Sequence, residues 1–271
     1  MLEVPTPEAR SQPRIAPTPE RAIGVGSVIA GEALPQFAFA IALSDGANRC
    51  NADIFVEDMS GFCDEAAQPG ALPAARVDER DRAAVRVPDV YDVSTDAEGA
   101  YIEMERFGLK RGGEHDAAAL GNGLAALHRY TADLHGWHRD NTIGPTPQHN
   151  PKTKDWVAFF RTHRLQFQLD LAARNGHAGE IQDLGNKLAE RLSDFFDGYD
   201  PAPSLLHGDL WAGNWGVADG VPVIFDPAVY YGDRETDIAM TQLFGGFGSA
   251  FYREYERAWP LAEGSSERLE L

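Results

Sequence analysis

The chain has very few of the residues and segments that would place it among secreted or membrane proteins. Only two cysteines, Cys50 and Cys63, occur in 271 residues. That is too few for a disulfide scaffold, and their spacing is not that of a zinc site. No apolar run approaches the roughly 20 residues that span a bilayer, and the N-terminus lacks the pattern of a signal peptide. These features predict a cytoplasmic protein with no membrane contact.

Positive charge is also scarce. The chain has 24 Lys+Arg against 42 Asp+Glu, which gives a net charge of -18. A nucleic acid duplex or an anionic lipid surface would be repelled by such a chain, so neither is an expected partner. The histidines show no H-x-x-x-H pair at helical spacing, which argues against a histidine metal site.

The chain is long enough for two lobes, and its texture changes along its length. Residues 1–20 contain five prolines, which predicts a flexible arm over 1–22. Residues 23–105 favour a small β-rich lobe, with strands expected over 85–93 and 99–105. Residues 106–271 favour a larger helical lobe, in which we expect helices over 116–135, from Asp155 onward, over 178–196 and over 235–244.

The most informative stretch is the loop at 205–227. His207, Asp209 and Asn214 have the spacing H-x-D-x-x-x-x-N, which is typical of the catalytic loop of kinase-like phosphotransferases. Asp226 follows a short apolar run and would bring a second carboxylate to the same place. Asp and Asn oxygens are ligands that Mg²⁺ prefers. The alternative interpretation is that these residues are turn formers that bond their own backbone.

Other residues are assigned by their setting in the sequence. We interpret His207 as structural, bonding backbone near Asp226, and Asp237 as a support that reaches back to residues 207–209. Five residues are candidates for contact with a sugar substrate, although the first of them is equally expected to be a core anchor: Trp137, Arg139, Asp140, Asn141 and Trp211.

The segments LLHGDLWAGNWG, VIFDP, FGGFGSAF and WHRDNTIG together resemble the fructosamine kinase (ketosamine-3-kinase) family, and the likeness runs from about Val85 to Leu271. The resemblance implies an α+β, protein-kinase-like two-lobed fold. It implies a kinase that uses ATP and Mg²⁺ to phosphorylate the 3-hydroxyl of free or protein-bound ketoamines, which leads to deglycation.

The resemblance also implies residue roles. Asp209 would be the catalytic base, and Asn214 and Asp226 would be the metal ligands. ATP would bind between the lobes near the backbone of three residues: Glu103, Met104 and Glu105.

The first lobe departs from the family pattern. The chain has four lysines, of which Lys110 is the first, whereas the family has an ATP-binding lysine on an earlier strand. We expect residues 50–82 to diverge from the family, and the chain to stop short of the family's last helical segment. Two alternatives stay open: a pseudokinase-like binding protein or defective gene product, and a kinase for another amine such as an aminoglycoside or choline. The sequence does not define the oligomeric state.

Overall fold

The computed structural model of the protein describes residues 85–96 and 99–271. The predicted arm at 1–22, the rest of the first lobe up to residue 84 and the segment 50–82 lie outside the described residues. The described part contains the end of the first lobe and the helical lobe.

Two antiparallel strands represent the first lobe. Strand β1 spans Val90–Asp96 and β2 spans Gly99–Met104, with Val90 opposite Met104. The two predicted strands are therefore present, but the first begins at Val90 and not at Val85. Pro88 has no amide hydrogen to donate to a ladder, and Arg86 pairs elsewhere, with Val223.

The helical lobe has short strands inserted between its helices. Its elements in chain order are α1 Glu114–His128, β3 Asn141–Ile143, β4 Thr146–Gln148, α2 Trp156–Phe160, α3 Phe167–Arg174, α4 Glu180–Arg191, β5 Ser204–Leu206, β6 Trp215–Ala218, β7 Val221–Ile224, β8 Tyr230–Gly232, α5 Glu235–Leu243, α6 Ser249–Ala258 and α7 Ser265–Arg268. A π-helical segment, Arg161–Gln166, joins α2 to α3, and a 3₁₀ turn, Leu192–Phe196, follows α4.

The core of this lobe forms where α1 lies along α6. Leu120 and Leu124 of α1 and Phe251 of α6 are fully buried. Close approach of the helices depends on Gly121, because a Cβ atom there would lie 2.2 Å from the carbonyl oxygen of Phe251. The predicted apolar stripe of α1 is thus the contact face for α6.

The end of α1 differs from the prediction. The helix stops at His128 and not at His135, so Leu134 does not belong to its apolar stripe. Beyond the helix the backbone pairs with the segment before and within β5: Leu205 N donates to Tyr130 O at 2.7 Å, and Ala132 N donates to Pro203 O at 3.0 Å. These tertiary hydrogen bonds replace the helical ones, and the periodicity of the sequence does not report them.

The apolar residues of α4 also differ from expectation. Ile181 and Leu184, which the helical spacing places on a packing face, are exposed. The helix instead packs through small residues, Gly185 and Ala189, which are buried. A Cβ atom at Gly185 would lie 2.3 Å from the side chain of Leu169, so α3 occupies that space. Separately, none of the helices within 85–96 and 99–271 has the length and apolar character needed to cross a membrane.

The close contact at Gly121 gives a test of the fold. We expect Gly121→Ala to lower the free energy of unfolding by about 2 kcal/mol, because the added methyl meets backbone that cannot move aside. The gain in helix propensity, about 1 kcal/mol, is smaller. Asn122→Ala on the same helix is the control and is expected to be neutral or slightly stabilising. Thermal unfolding checks both, and an unchanged or higher midpoint for Gly121→Ala would contradict the packing.

Candidate active site

Three strand ends bring the predicted catalytic and metal residues together. Asp209 follows β5, Asn214 directly precedes β6, and Asp226 follows β7. Because β6 and β7 pair in antiparallel fashion, the start of one lies beside the end of the other, and Phe225 N donates to Asn214 O at 3.1 Å. The apolar runs before Asp209 and Asp226 are strands, as expected, but they do not pair with each other: β5 pairs with β8.

The side chain of Asn214 links the other two residues. Its amide nitrogen donates to the Asp209 carbonyl at 2.8 Å, to Asp209 Oδ2 at 3.3 Å and to the Asp226 carbonyl at 3.3 Å. Part of the turn-former interpretation is therefore seen in the structure, since this nitrogen bonds loop backbone. The amide oxygen is the atom of Asn214 suited to a cation.

The proton affinity of both carboxylates is raised in a partly dehydrated site. Burial, and next the charge of Asp226, raise the pKa of Asp209 to about 6, against the lowering effect of the Asn214 hydrogen bond. Burial also raises the pKa of Asp226, although its side chain reaches the surface. Asp226 has a φ of 65°, a left-handed conformation that costs a non-glycine residue about 1–2 kcal/mol. Strain of this kind is common at functional sites.

The loop before Asp209 is held by Asp237 at the start of α5. Its buried carboxylate accepts hydrogen bonds from His207 N at 2.7 Å and from Gly208 N at 2.8 Å. Gly208 has a φ of 80°, and a Cβ atom there would lie 2.0 Å from the carbonyl oxygen of Ala228. The chain must therefore have glycine at this position to pass between α5 and the segment after Asp226.

The ring of His207 hydrogen-bonds to Phe225, the residue before Asp226. Its Nε2 lies 3.0 Å from the carbonyl oxygen of Phe225, and its Nδ1 accepts from Asp209 N at 3.3 Å. One nitrogen must donate and the other accept, so the ring is neutral. Burial lowers the pKa of His207 to about 4, in agreement with a neutral ring. These are the contacts that the structural interpretation of His207 requires.

A buried chain of polar side chains behind Asp237 was not anticipated from the sequence. His128 Nε2 lies 3.1 Å from Asp237 Oδ2, and His128 Nδ1 lies 2.7 Å from the hydroxyl of Tyr255. Arg234 donates to the same hydroxyl at 3.1 Å. Burial lowers the pKa of His128, so the neutral ring donates to Asp237 and accepts from Tyr255. The signal in the sequence was a histidine four residues after Leu124, on the apolar face of α1.

Two of the five predicted sugar contacts lie inside the protein. Trp137 is only 4% exposed, and its ring packs 5.5 Å from that of Tyr231. Asn141 is buried and donates to the Val229 carbonyl at 2.8 Å, while its oxygen accepts from Gln148 at 2.9 Å. Both side chains are committed to the core, so we correct their assignment from substrate contact to structural support.

The other three lie nearer the surface. Asp140 is exposed and pairs with His149 at 2.7 Å, and Arg139 is half-buried. Trp211 is half-buried within the predicted catalytic loop, two residues after Asp209. Of the candidates, Trp211 is the one that belongs to the same loop as the predicted base.

The predicted ATP contact lies at the end of β2. Glu105 N donates to Asp89 O at 2.7 Å, and its carboxylate forms an ion pair with Arg86. Arg86 also stacks over the ring of Phe107, 4.5 Å from its centroid. Glu105 is therefore held by contacts within the protein, near the predicted lobe boundary. The backbones of Glu103 and Met104 pair with β1.

Comparison with known proteins places the chain. A family model described as fructosamine kinase matches residues 62–271, so the chain belongs to the fructosamine kinase family. The match includes residues 62–82, which corrects the expectation that the whole of 50–82 diverges. It does not include the segment before residue 62.

Individual relatives agree. The chain is 42% identical over 186 residues to a Synechocystis sp. protein named "Probable ketoamine kinase", a match that covers 68% of this chain and 62% of that protein. It is 42% identical over 197 residues to the chloroplastic protein-ribulosamine 3-kinase of Oryza sativa subsp. indica, covering 70% of this chain and 56% of that protein. The chain thus spans less than two thirds of the length of these relatives.

A solved structure agrees as well. A Haemophilus somnus 129PT protein provisionally assigned as a fructosamine-3-kinase has a TM-score of 0.69 at 26% identity, covering 83% of this chain and 70% of that one. The likeness confirms the predicted α+β, protein-kinase-like fold class. The lobe boundary near residue 105 stays a prediction.

The support of the loop can be tested at Asp237. We expect Asp237→Asn to lower the free energy of unfolding by about 3 kcal/mol, because an amide has one acceptor oxygen for donors that now share two. Amide hydrogen exchange at His207 and Gly208 should rise with it. Asp194→Asn, at an exposed ion pair with Arg191, is the control and should change stability by less than about 0.5 kcal/mol. Full protection of the 207–208 amides in Asp237→Asn would show that this carboxylate does not hold the loop.

Proposed function

We propose that the protein is a ketoamine kinase that transfers the γ-phosphoryl group of ATP to the 3-hydroxyl of a sugar carried on an amine. The proposal rests on the family of the chain and on the names of its relatives. The observation that carries it is the convergence of Asp209, Asn214 and Asp226 on a loop fixed from behind by Asp237.

In this proposal Asp209 is the base. The acceptor hydroxyl oxygen forms a bond to the γ-phosphorus, the bond between that phosphorus and the β–γ bridging oxygen breaks, ADP leaves, and the hydroxyl proton goes to Asp209 Oδ. Phosphoryl transfer needs mainly positioning and charge stabilisation. A carboxylate whose pKa is about 6 is ionised at neutral pH and is close enough in proton affinity to accept a proton.

Asn214 and Asp226 fit a Mg²⁺ ion. Magnesium binds proteins through one or two carboxylates together with substrate phosphates and water, and the ion would neutralise charge on the phosphate oxygens. Within the described ranges there is no group of three His, Cys, Asp or Glu side chains that could hold a metal. The proposed set of one carboxylate and one amide oxygen therefore depends on the phosphates of ATP to complete it. The adenine ring of ATP would lie near Met104. A cytoplasmic location is also part of the proposal.

A second candidate is favoured by one observation, the absence of a lysine before Lys110. A kinase-like chain without a cation for the ATP phosphates could be a pseudokinase-like binding protein. Calorimetry with Mg²⁺–ATP, together with a turnover assay, separates this candidate from the kinase. Binding of ordinary strength together with turnover would exclude the pseudokinase. No described residue specifically favours an aminoglycoside or choline as acceptor, and a substrate panel tests these acceptors directly.

The base assignment has a direct test. We expect Asp209→Asn to lower kcat for ketoamine phosphorylation by about 10³-fold, since general base catalysis contributes 10²–10⁴, while the protein stays folded and its Mg²⁺–ATP affinity changes little. The assay is coupled ADP release with fructosyl-lysine as acceptor. Asp194→Asn makes the same chemical change at the surface and should keep full activity. Unchanged turnover in Asp209→Asn would remove Asp209 from the mechanism.

The pH dependence of the reaction follows from the raised pKa of Asp209. The base must be unprotonated, so kcat/KM is expected to fall as the pH is lowered through about 6 and then to drop about tenfold per pH unit. Burial raises the pKa of Asp233 to about 7, which is close to the pKa of Asp209. Asp233→Asn is therefore the matched control, and it should leave the midpoint near 6 in place. A kcat/KM flat from pH 5 to 8 would contradict the proposal.

A further inference from the structure

Two aromatic rings, those of Trp211 and Phe244, pack together beside the proposed catalytic loop. The ring of Trp211 packs against its own loop: a Cβ atom at Gly213 would lie 2.3 Å from the ring. The ring of Phe244, just after α5, meets Trp211 edge to face, with centroids 5.9 Å apart and planes at 67°. The pair therefore adjoins the segment of the proposed base, since Trp211 N donates to Asp209 O at 3.2 Å.

Phe244 is exposed, although the segment that carries it is fixed to the rest of the protein. Phe244 is 66% exposed and its neighbour Leu243 is 68% exposed. Three residues later Phe247 is buried, with its ring 5.6 Å from Trp215 and 5.1 Å from Phe251. Phe247 N also lies 3.3 Å from the hydroxyl of Tyr252. The exposure of Phe244 is thus a property of a held segment and not of a loose chain end.

The turn between Phe244 and Phe247 explains how neighbouring aromatic residues come to lie in different surroundings. Gly245 and Gly246 have φ values of 99° and 75°, which other residues rarely adopt. The turn sends Phe247 into the core and leaves Phe244 and Leu243 at the surface. Contiguous exposed apolar surface marks ligand-binding or interaction sites, whereas single exposed apolar residues are ordinary.

The chemistry of the proposed acceptor matches this arrangement. A ketoamine has a sugar, whose hydroxyl must reach Asp209, a secondary ammonium group, and the substituent of the original amine beyond it. Aromatic faces attract ammonium groups and stack on apolar substituents. With the sugar at Asp209, a substituent directed toward Trp211 would contact its ring and that of Phe244. Two exposed side chains are far smaller than a stable protein–protein interface, which favours a small group as the occupant.

We infer that Phe244, with Leu243 beside it, forms a subsite for the amine substituent and makes the protein selective for ketoamines of aromatic or large apolar amines. The inference rests on the proposed function, because it assigns the acceptor's sugar to Asp209. Phe244 would act on specificity and would not touch the reacting atoms.

The test compares two acceptors with the same sugar, fructosyl-phenylalanine and fructosyl-glycine, by calorimetric binding to the full chain and by turnover. The wild type is expected to bind fructosyl-phenylalanine at least about fivefold more tightly. Phe244→Ala should remove most of that preference and change the affinity for fructosyl-glycine by less than twofold. Leu184→Ala removes an equally apolar exposed side chain from α4 and should leave the preference intact.

The outcomes separate this inference from the proposed function. Equal binding of both acceptors by the wild type, binding of neither, or equal weakening of both by Phe244→Ala would overturn the subsite. Selective binding that depends on Phe244 but is followed by no phosphorylation would sustain the subsite and refute the kinase. Because Phe244 is exposed, its replacement should leave thermal unfolding close to that of the wild type, which circular dichroism checks.

Discussion

The geometry of the site depends on one buried carboxylate. Asp237 accepts two backbone hydrogen bonds from the residues directly before Asp209 and a third from His128. Burial alone would raise the pKa of Asp237, but its hydrogen bonds, first that from His128 and then that from Gly208 N, keep it below its ordinary value, so the carboxylate stays charged inside the core. A buried charge is stable only when its donors are all in place. Loss of this carboxylate would therefore release the loop, the end of α1 and the start of α5 from one another.

Three arginines of the described residues pack inside the helical lobe. Arg164 lies 4.2 Å from the centroid of the Tyr230 ring, Arg234 lies 4.1 Å from that of Trp259, and Arg268 lies 3.8 Å from that of Tyr199. Arg268 also forms a buried ion pair with Glu235 at 2.7 Å. Each guanidinium bridges elements far apart in sequence by hydrogen bonds and by contact with an aromatic face. These three guanidinium groups thus serve packing.

Much of the site could be predicted because its chemistry is local. The spacing of His207, Asp209 and Asn214 and the strands before Asp209 and Asp226 lie within one short stretch, and so does the start of α5. What could not be predicted depends on distant contacts. Trp137 and Asn141 have the composition of a sugar-binding surface, and only their packing against β8 and the segment before it shows that they are internal. The partners of His128 are more than 100 residues away, and no periodicity within α1 identifies them.

The backbone pairing on the two edges of the β6–β7 hairpin has a mechanical consequence. Arg86, from the segment that leads into β1, pairs in parallel with β7, and Lys110, from the segment that follows β2, pairs in antiparallel fashion with β6. The β6–β7 hairpin, which has Asn214 and Asp226 at its end, is therefore bonded on both edges by the two chain segments that flank the β1–β2 hairpin. Any rotation of the β1–β2 hairpin relative to the helices must bend or break these backbone hydrogen bonds. A displacement of the β1–β2 hairpin would therefore act directly on the hairpin that carries the proposed metal ligands.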